Sequence, residues 1–143
     1  MRVADVLREK GTDVISVSPT DDLEDVVAVL RDYRIGAVIV LEGTRLVGIL
    51  SERDIVEALA VHGKAALSAT VEELMSVPTQ VCEPGDAIDS LMAIMTNERV
   101  RHLPVMHGDV VVGMISIGDV VKRRVIQLEG EAERLSVYIT SGR

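Results

Sequence analysis

A serine followed three residues later by an aspartate, at the point where an apolar run gives way to a helical pattern, is the arrangement in this chain best suited to chemistry. It occurs twice. Val47-Gly48-Ile49-Leu50-Ser51-Glu52-Arg53-Asp54-Ile55-Val56 is matched by Val112-Gly113-Met114-Ile115-Ser116-Ile117-Gly118-Asp119-Val120-Val121, an offset of 65 residues (113 − 48). Ser51 and Ser116 fall at helix N-termini, where backbone N–H groups and a hydroxyl suit a phosphate. A carboxylate in the first turn can accept two neighbouring hydroxyls of a sugar at once. The same spacing is also close to a capping box, in which serine and acid satisfy each other's backbone. From either corner alone the two readings carry about equal weight, and they can coexist.

Other chemistries find little support. His62, His102, His107 and Cys82 show no metal-ligand spacing. There is no Gly-x-x-x-x-Gly-Lys-Ser/Thr loop, and no Ser-His-Asp or Cys-His set is suggested by residue order. The expectation is a non-enzyme without a metal. A net charge of −8 argues against nucleic-acid binding, and without Trp or Phe there is no base-stacking platform. The lone Cys82 fits a reducing compartment. The start of the chain lacks the apolar run of a signal peptide, and no stretch approaches a membrane span. A soluble, cytoplasmic protein that does not engage a membrane is expected.

The elements that position the corners are duplicated with them. At the same offset Pro19 meets Pro84, Asp21 meets Asp86, Ala28 meets Ala93, Arg34 meets Arg99, Val40 meets Val105 and Gly43 meets Gly108. The corner adds Val47, Gly48, Ser51, Asp54 and Val56, and most other aligned pairs are apolar on apolar. This is an internal repeat. Its 143 residues, 48% hydrophobic, suffice for a shared core. Each half reads as helix, strand, helix, strand, strand, helix. In the first, helices are expected over 3–10, 22–34 (capped by Thr20 or Asp21) and 52–61, with strands at 14–17, 37–41 and 45–50. In the second, a short helix at 71–75 precedes a strand at 79–82, a helix over 87–98, a hairpin about Gly108 and helix from 117 onwards. The expected division is 1–65 for the first repeat, 66–127 for the second and 128–143 for a helical extension. Met92 and Met95 lie at helical spacing and read as core filler.

The order of elements, the paired Gly-h-h-Ser-x-x-Asp corners and the tandem copies resemble a pair of cystathionine-β-synthase-type (CBS) domains, the Bateman module, over about Val3 to Gln127. The resemblance implies an α+β fold of two β-α-β-β-α repeats packed through their sheets about a pseudo-two-fold axis. It also implies clefts between the repeats for adenosine-containing ligands such as AMP, ADP, ATP, NAD or S-adenosylmethionine. By match to the family motif, Asp54 and Asp119 are the ribose acceptors. The hairpin start lines the cleft near base or phosphates, which points to Gly36 and Ala37 in one half and to Arg101 and His102 in the other. Arg53 stands opposite Gly118 and adds to the difference. Arg101 could fork onto a phosphate, and the run Arg99, Arg101, His102 is expected beside Asp119. Taken singly, each of these three reads slightly better as a surface charge or a satisfied histidine. Thr79 and Val81 match positions where the family grips the base through its backbone, and Thr12 is a weaker parallel.

Two functions of different kinds follow. The first is a sensor of an adenine nucleotide or dinucleotide, requiring no cofactor, that acts on a separate and unidentified protein, since no enzyme accompanies the pair in this chain. The second is an interaction scaffold whose corners merely cap helices. Past the second corner Val121, Val125, Leu128, Ala132, Leu135 and Ile139 recur at alternating spacings of four and three. That apolar stripe, interrupted by Gly130, predicts a homodimer.

Overall fold

The computed structural model describes residues 1–78 and 80–142. The first half contains α1 (Val3–Lys10), β1 (Ser16–Val17), α2 (Leu23–Tyr33), β2 (Ala37–Glu42), β3 (Arg45–Ser51) and α3 (Glu52–His62). A 3-10 segment, Gly63–Ser68, leads to the second half: α4 (Val71–Leu74), α5 (Ile88–Glu98), β4 (His102–His107), β5 (Val110–Ser116) and α6 (Ile117–Ser141). The result is the α+β pair of repeats that the sequence pattern requires. Asp22 rather than Thr20 or Asp21 caps α2, its carboxylate accepting from Asp25 N at 2.9 Å, while Asp21 accepts from Ser18 N in the preceding turn.

The two hairpins are near copies. β2 and β3 pair antiparallel with Ala37 opposite Ser51, and β4 and β5 with His102 opposite Ser116. Each ladder shifts register at the equivalent place, Val40/Leu41 and Val105/Met106. Gly43 and Gly108 turn the hairpins at φ of 65° and 61°, a conformation that favours glycine. β1 joins β2 in parallel to make three strands. Its expected counterpart over 79–82 is reduced to a single parallel bridge between Cys82 and Val105, with Thr79 outside the described residues. Proline explains the loss. In the first half Ile39 N donates to Ile15 O at 3.3 Å, whereas position 104, its equivalent, is a proline with no N–H to give.

Two cores result, and each is closed by the opening helix of the other half. Val3, Val6 and Leu7 of α1 pack with Ile88, Leu91, Met95, Leu103, Ile115 and Val120. Val71, Leu74 and Met75 pack with Leu23, Val26, Leu30, Val38 and Leu50. Matched bridges pin the exchange, Arg2 to Ala87 and Asp22 to Thr70. The corner glycines make room for it. A Cβ on Gly48 would press on Met75 Sδ and lie 2.9 Å from its Cγ, and one on Gly113 would lie 2.7 Å from Leu7 Cδ2. β3 and β5 lie side by side where the halves meet. Cys82 is buried, and burial, with Asp86 beside it, pushes its thiol up to about 12.

Candidate ligand-binding site

Each corner is a strand that ends at a serine and turns directly into a helix. Ser51 caps α3: its N and Oγ donate to Asp54 Oδ2 at 2.9 and 3.0 Å, and Asp54 N donates to Ser51 Oγ at 3.3 Å. Ser116 and Asp119 repeat these three bonds at the same three distances on α6. The capping box is therefore real at both corners, and it consumes donors that a phosphate would otherwise find. Glu52 N goes to Gly36 O at 3.0 Å and Ile117 N to Arg101 O at 2.8 Å.

What surrounds the two boxes differs. A cleft of about 350 Å³ opens beside the first corner. From the first half it takes Gly36, Ile49, Ser51, Glu52, Arg53 and Asp54, and from the linker Ser76, Val77, Pro78 and Gln80. From the second half it takes Arg99, Val100, Arg101 and His102. The expected placement of the run Arg99, Arg101 and His102 beside Asp119 is met in part, since Ile117 N bonds Arg101 O and Asp119 acts on His102, while the same residues also line the cleft beside Asp54. The contact of β3 with β5 brings the start of β4, still bonded to its own corner, alongside the corner of the first half. Offset analysis finds equivalent positions but not which of them face each other.

Arg99 sits at the αL end of α5 with φ of 54°, as Arg34 does at the end of α2 with φ of 53°. A non-glycine residue there carries some strain, and the turn directs residues 100–102 back along the corner. Arg53, Arg99 and Arg101 are exposed. Among the described residues none of the three has a carboxylate within 4.0 Å. Against these three guanidinium groups the cleft sets two carboxylates, Glu52 and Asp54, a surplus of one positive charge (3 − 2) in a chain of net charge −8. His102 is half-buried; burial and then the nearby Lys10 hold its pKa below the ordinary histidine value, so it is neutral at pH 7. Ile49, Val77, Pro78 and Val100 give the cleft an apolar wall.

Asp54 Oδ1 accepts from Ser76 Oγ at 3.0 Å, so its contact beyond the box is with a neutral hydroxyl. Asp119 instead meets Lys10, whose Nζ lies 2.7 Å from Oδ2 and 2.7 Å from Met114 O. Burial opposes the Asp119 charge, but Lys10 and Ser116 outweigh it and hold the carboxyl below its ordinary range. A smaller cavity of about 260 Å³ beside Asp119 is lined by Val6, Glu9, Lys10, Lys122 and Arg123.

Of the other sequence-predicted positions, Ala37 is buried in β2 and Val81 is exposed, and neither is among the residues lining the cleft. Thr79 lies outside the described residues. Sequence reasoning missed Ile49, Glu52, Ser76, Val77, Pro78, Gln80 and Val100, and it missed Lys10. Only Ser76-Val77-Pro78 carried a signal, as an apolar and proline-marked break just ahead of the second repeat. No group of three or more potential metal ligands occurs among the described residues, and none of their helices is long and apolar enough to cross a membrane.

Residues 3–61 and 71–126 each match the family described as CBS domain. A mitochondrial CBS domain-containing protein of Arabidopsis thaliana is 31% identical over 98% of this chain and 72% of its own length. Among solved structures, a CBS-domain containing protein from Agrobacterium tumefaciens superposes with a TM-score of 0.84 at 40% identity, covering 87% of this chain and 99% of the other. A CBS domain protein from Pyrobaculum aerophilum, complexed with AMP, superposes with a TM-score of 0.78 at 25% identity, covering 90% and 97%.

Proposed function

The chain belongs to the CBS domain family, and from that premise we propose that it is a regulatory module whose first corner binds an adenine nucleotide or dinucleotide and signals to a separate protein. The charge of the cleft carries the reading. Three arginines without an ion-pair partner among the described residues, around a neutral histidine in an otherwise acidic chain, suit an anionic ligand, and the apolar wall suits a flat base. Asp54 takes the ribose: Oδ1 has a spare lone pair beyond Ser76, and the box already orients the carboxylate. The AMP seen in the Pyrobaculum aerophilum relative supports a ligand of this class. Ser51, Arg53, Gly36, Arg99, Arg101 and His102 remain in the proposed site, and Thr79 and Val81 are kept as backbone contacts to the base. We propose no catalytic role for any residue. The chain is proposed to work in the cytoplasm, with ATP, ADP, AMP and NAD as the ligands to test first.

Calorimetric titration of the protein with AMP, ADP, ATP, NAD and S-adenosylmethionine tests this. A phosphorylated ligand should bind, more weakly as salt rises. If none of the five binds at millimolar concentration, the chain is a scaffold whose corners only cap helices, and the reading is wrong.

The partner we propose for α6 is a second copy of the chain. Val120 is its buried residue, and Val121, Val125, Leu128, Leu135 and Ile139 are all exposed along one stripe of a helix that runs unbroken through Gly130. Lys122 and Arg124 precede Glu129 and Glu131 on the flanks, so two antiparallel tails would set basic against acidic residues. Removing residues 128–143 should shift the protein towards monomer in light scattering, and a truncated chain that remains dimeric would exclude the tail as the cause.

A further inference from the structure

Equivalent carbonyl and carboxylate groups are engaged at both corners by different donors, with Ser76 reaching Oδ1 of Asp54 and Lys10 reaching Oδ2 of Asp119, the oxygen already in the box. In the first half Ser76 donates its N–H to Ile49 O at 2.9 Å and its hydroxyl to Asp54 at 3.0 Å. In the second, the single ammonium of Lys10 donates to both Met114 O and Asp119, each at 2.7 Å. Met114 lies 65 residues after Ile49 (114 − 49), so the carbonyls are equivalent. We propose that Lys10 is a built-in occupant of the second corner, standing where a ribose would approach Asp119 and limiting the chain to one nucleoside site. This rests on the reading that the Asp54 cleft binds such a ligand.

A hydroxyl and an ammonium differ in what they leave behind. Ser76 leaves the Asp54 charge uncompensated and its approach open to the cleft. Lys10 neutralises Asp119 and covers it, in an ion pair whose side chains are 38% and 21% exposed. Displacing it means separating a partly desolvated charge-assisted contact, which a neutral ribose hydroxyl does not replace. The surroundings agree. The cavity beside Asp119 is walled by ionic side chains, two of them already joined as Arg123 and Glu9. At the positions equivalent to Arg53, Arg101 and His102 the second corner has Gly118, Gly36 and Ala37, while Arg34 matches Arg99 and the cations beside Asp119 are Lys10, Lys122 and Arg123. Its carboxylate is an acceptor that suits the hydroxyls of an uncharged nucleoside, and Lys10 stands against that carboxylate.

Adenosine is therefore the probe, and the backbone amides of Arg53 and Gly118 report the two corners separately by NMR. In the wild-type protein adenosine should shift Arg53 and leave Gly118 unmoved. In Lys10→Met, and in Lys10→Ala where the space is also vacated, Gly118 should shift as well, with an affinity at least about tenfold above any wild-type response there. A Gly118 shift of equal affinity in the wild-type protein overturns the inference. So does a Gly118 that stays silent in both variants while their other amides keep their positions. If Arg53 responds neither to adenosine nor to AMP in the wild-type protein, the function proposed for the first cleft fails. The role of Lys10 is then decided by Gly118 in the two variants, movement supporting it and silence overturning it.

Discussion

The two corners are alike in every bond of their capping boxes and unlike in everything that touches those boxes from outside. Three hydrogen bonds repeat between Ser51–Asp54 and Ser116–Asp119 at identical lengths. Yet one aspartate faces a cleft lined by three arginines, and the other holds a lysine. The comparison separates the two meanings of the Ser-x-x-Asp signature. As a helix cap it is structural and needs only local sequence, so both copies keep it. As a binding site it depends on what the opposite half presents, and there the copies have diverged.

The largest expected effect comes from removing each carboxylate in turn. Asp54→Ala should weaken the phosphorylated ligand roughly ten- to hundredfold, the cost of a charge-assisted hydrogen bond to the ribose. Asp119→Ala should leave that affinity within about threefold. Both variants lose the same cap, worth about 1 kcal/mol, and Asp119→Ala also loses the Lys10 ion pair, so a stability loss in Asp119→Ala at least as large as in Asp54→Ala, with the larger affinity loss in Asp54→Ala, would sharpen the contrast. Equal affinity losses would break it.

Stability should follow the symmetry where affinity does not. Gly48→Ala and Gly113→Ala each force a methyl into the exchanged opening helix, at about 1–3 kcal/mol of overpacking. Gly113→Ala should lie at the upper end, because the branched Leu7 has fewer ways to yield than the unbranched Met75. Denaturant midpoints measure both, and a neutral result at either glycine would mean that its helix is not held against the corner.

The smallest effect is in titration. His102 lies near both Glu52 and Asp119, which favour its charge, and near Lys10 and Arg101, which oppose it; burial, the largest influence, also opposes it. Because the folded value is lowered, His102 contributes stability above its unfolded value near 6.5 that is lost as pH falls through the folded one. Asp119 has the same sign at lower pH, its contribution disappearing as pH falls through its depressed folded value. Lys10→Met should raise both pKa values, measurable by NMR, and flatten the acid limb of the stability profile. An unmoved His102 would show that Lys10 does not reach between the corners.

Much of this was legible in the chain because it is local. The repeat, the hairpins about Gly43 and Gly108, the helix starts and the two capping boxes each depend on residues a few positions apart. The short strand at 79–82 was misjudged because its missing ladder bond belongs to Pro104, more than twenty residues away (104 − 82 = 22). Ser51, Arg53 and Asp54, singled out by motif, and the arginine–histidine run, singled out by its contrast with Gly36-Ala37, line one cleft. That the run also faces Asp54 was not legible, because the contact joins opposite halves of the chain.

By itself, then, the sequence determined the duplicated fold, the corners and their caps, since hydrophobic period, glycine placement and Ser-x-x-Asp spacing act within single elements. Only the tertiary structure decided which corner is open. Exchange of α1 and α4 between the cores places Lys10 on Asp119 and Ser76 on Asp54. These contacts span 109 and 22 residues. No periodicity encodes a contact of that range; it is fixed by how two apolar faces find each other, and the charge carried at the end of each opening helix follows from that packing.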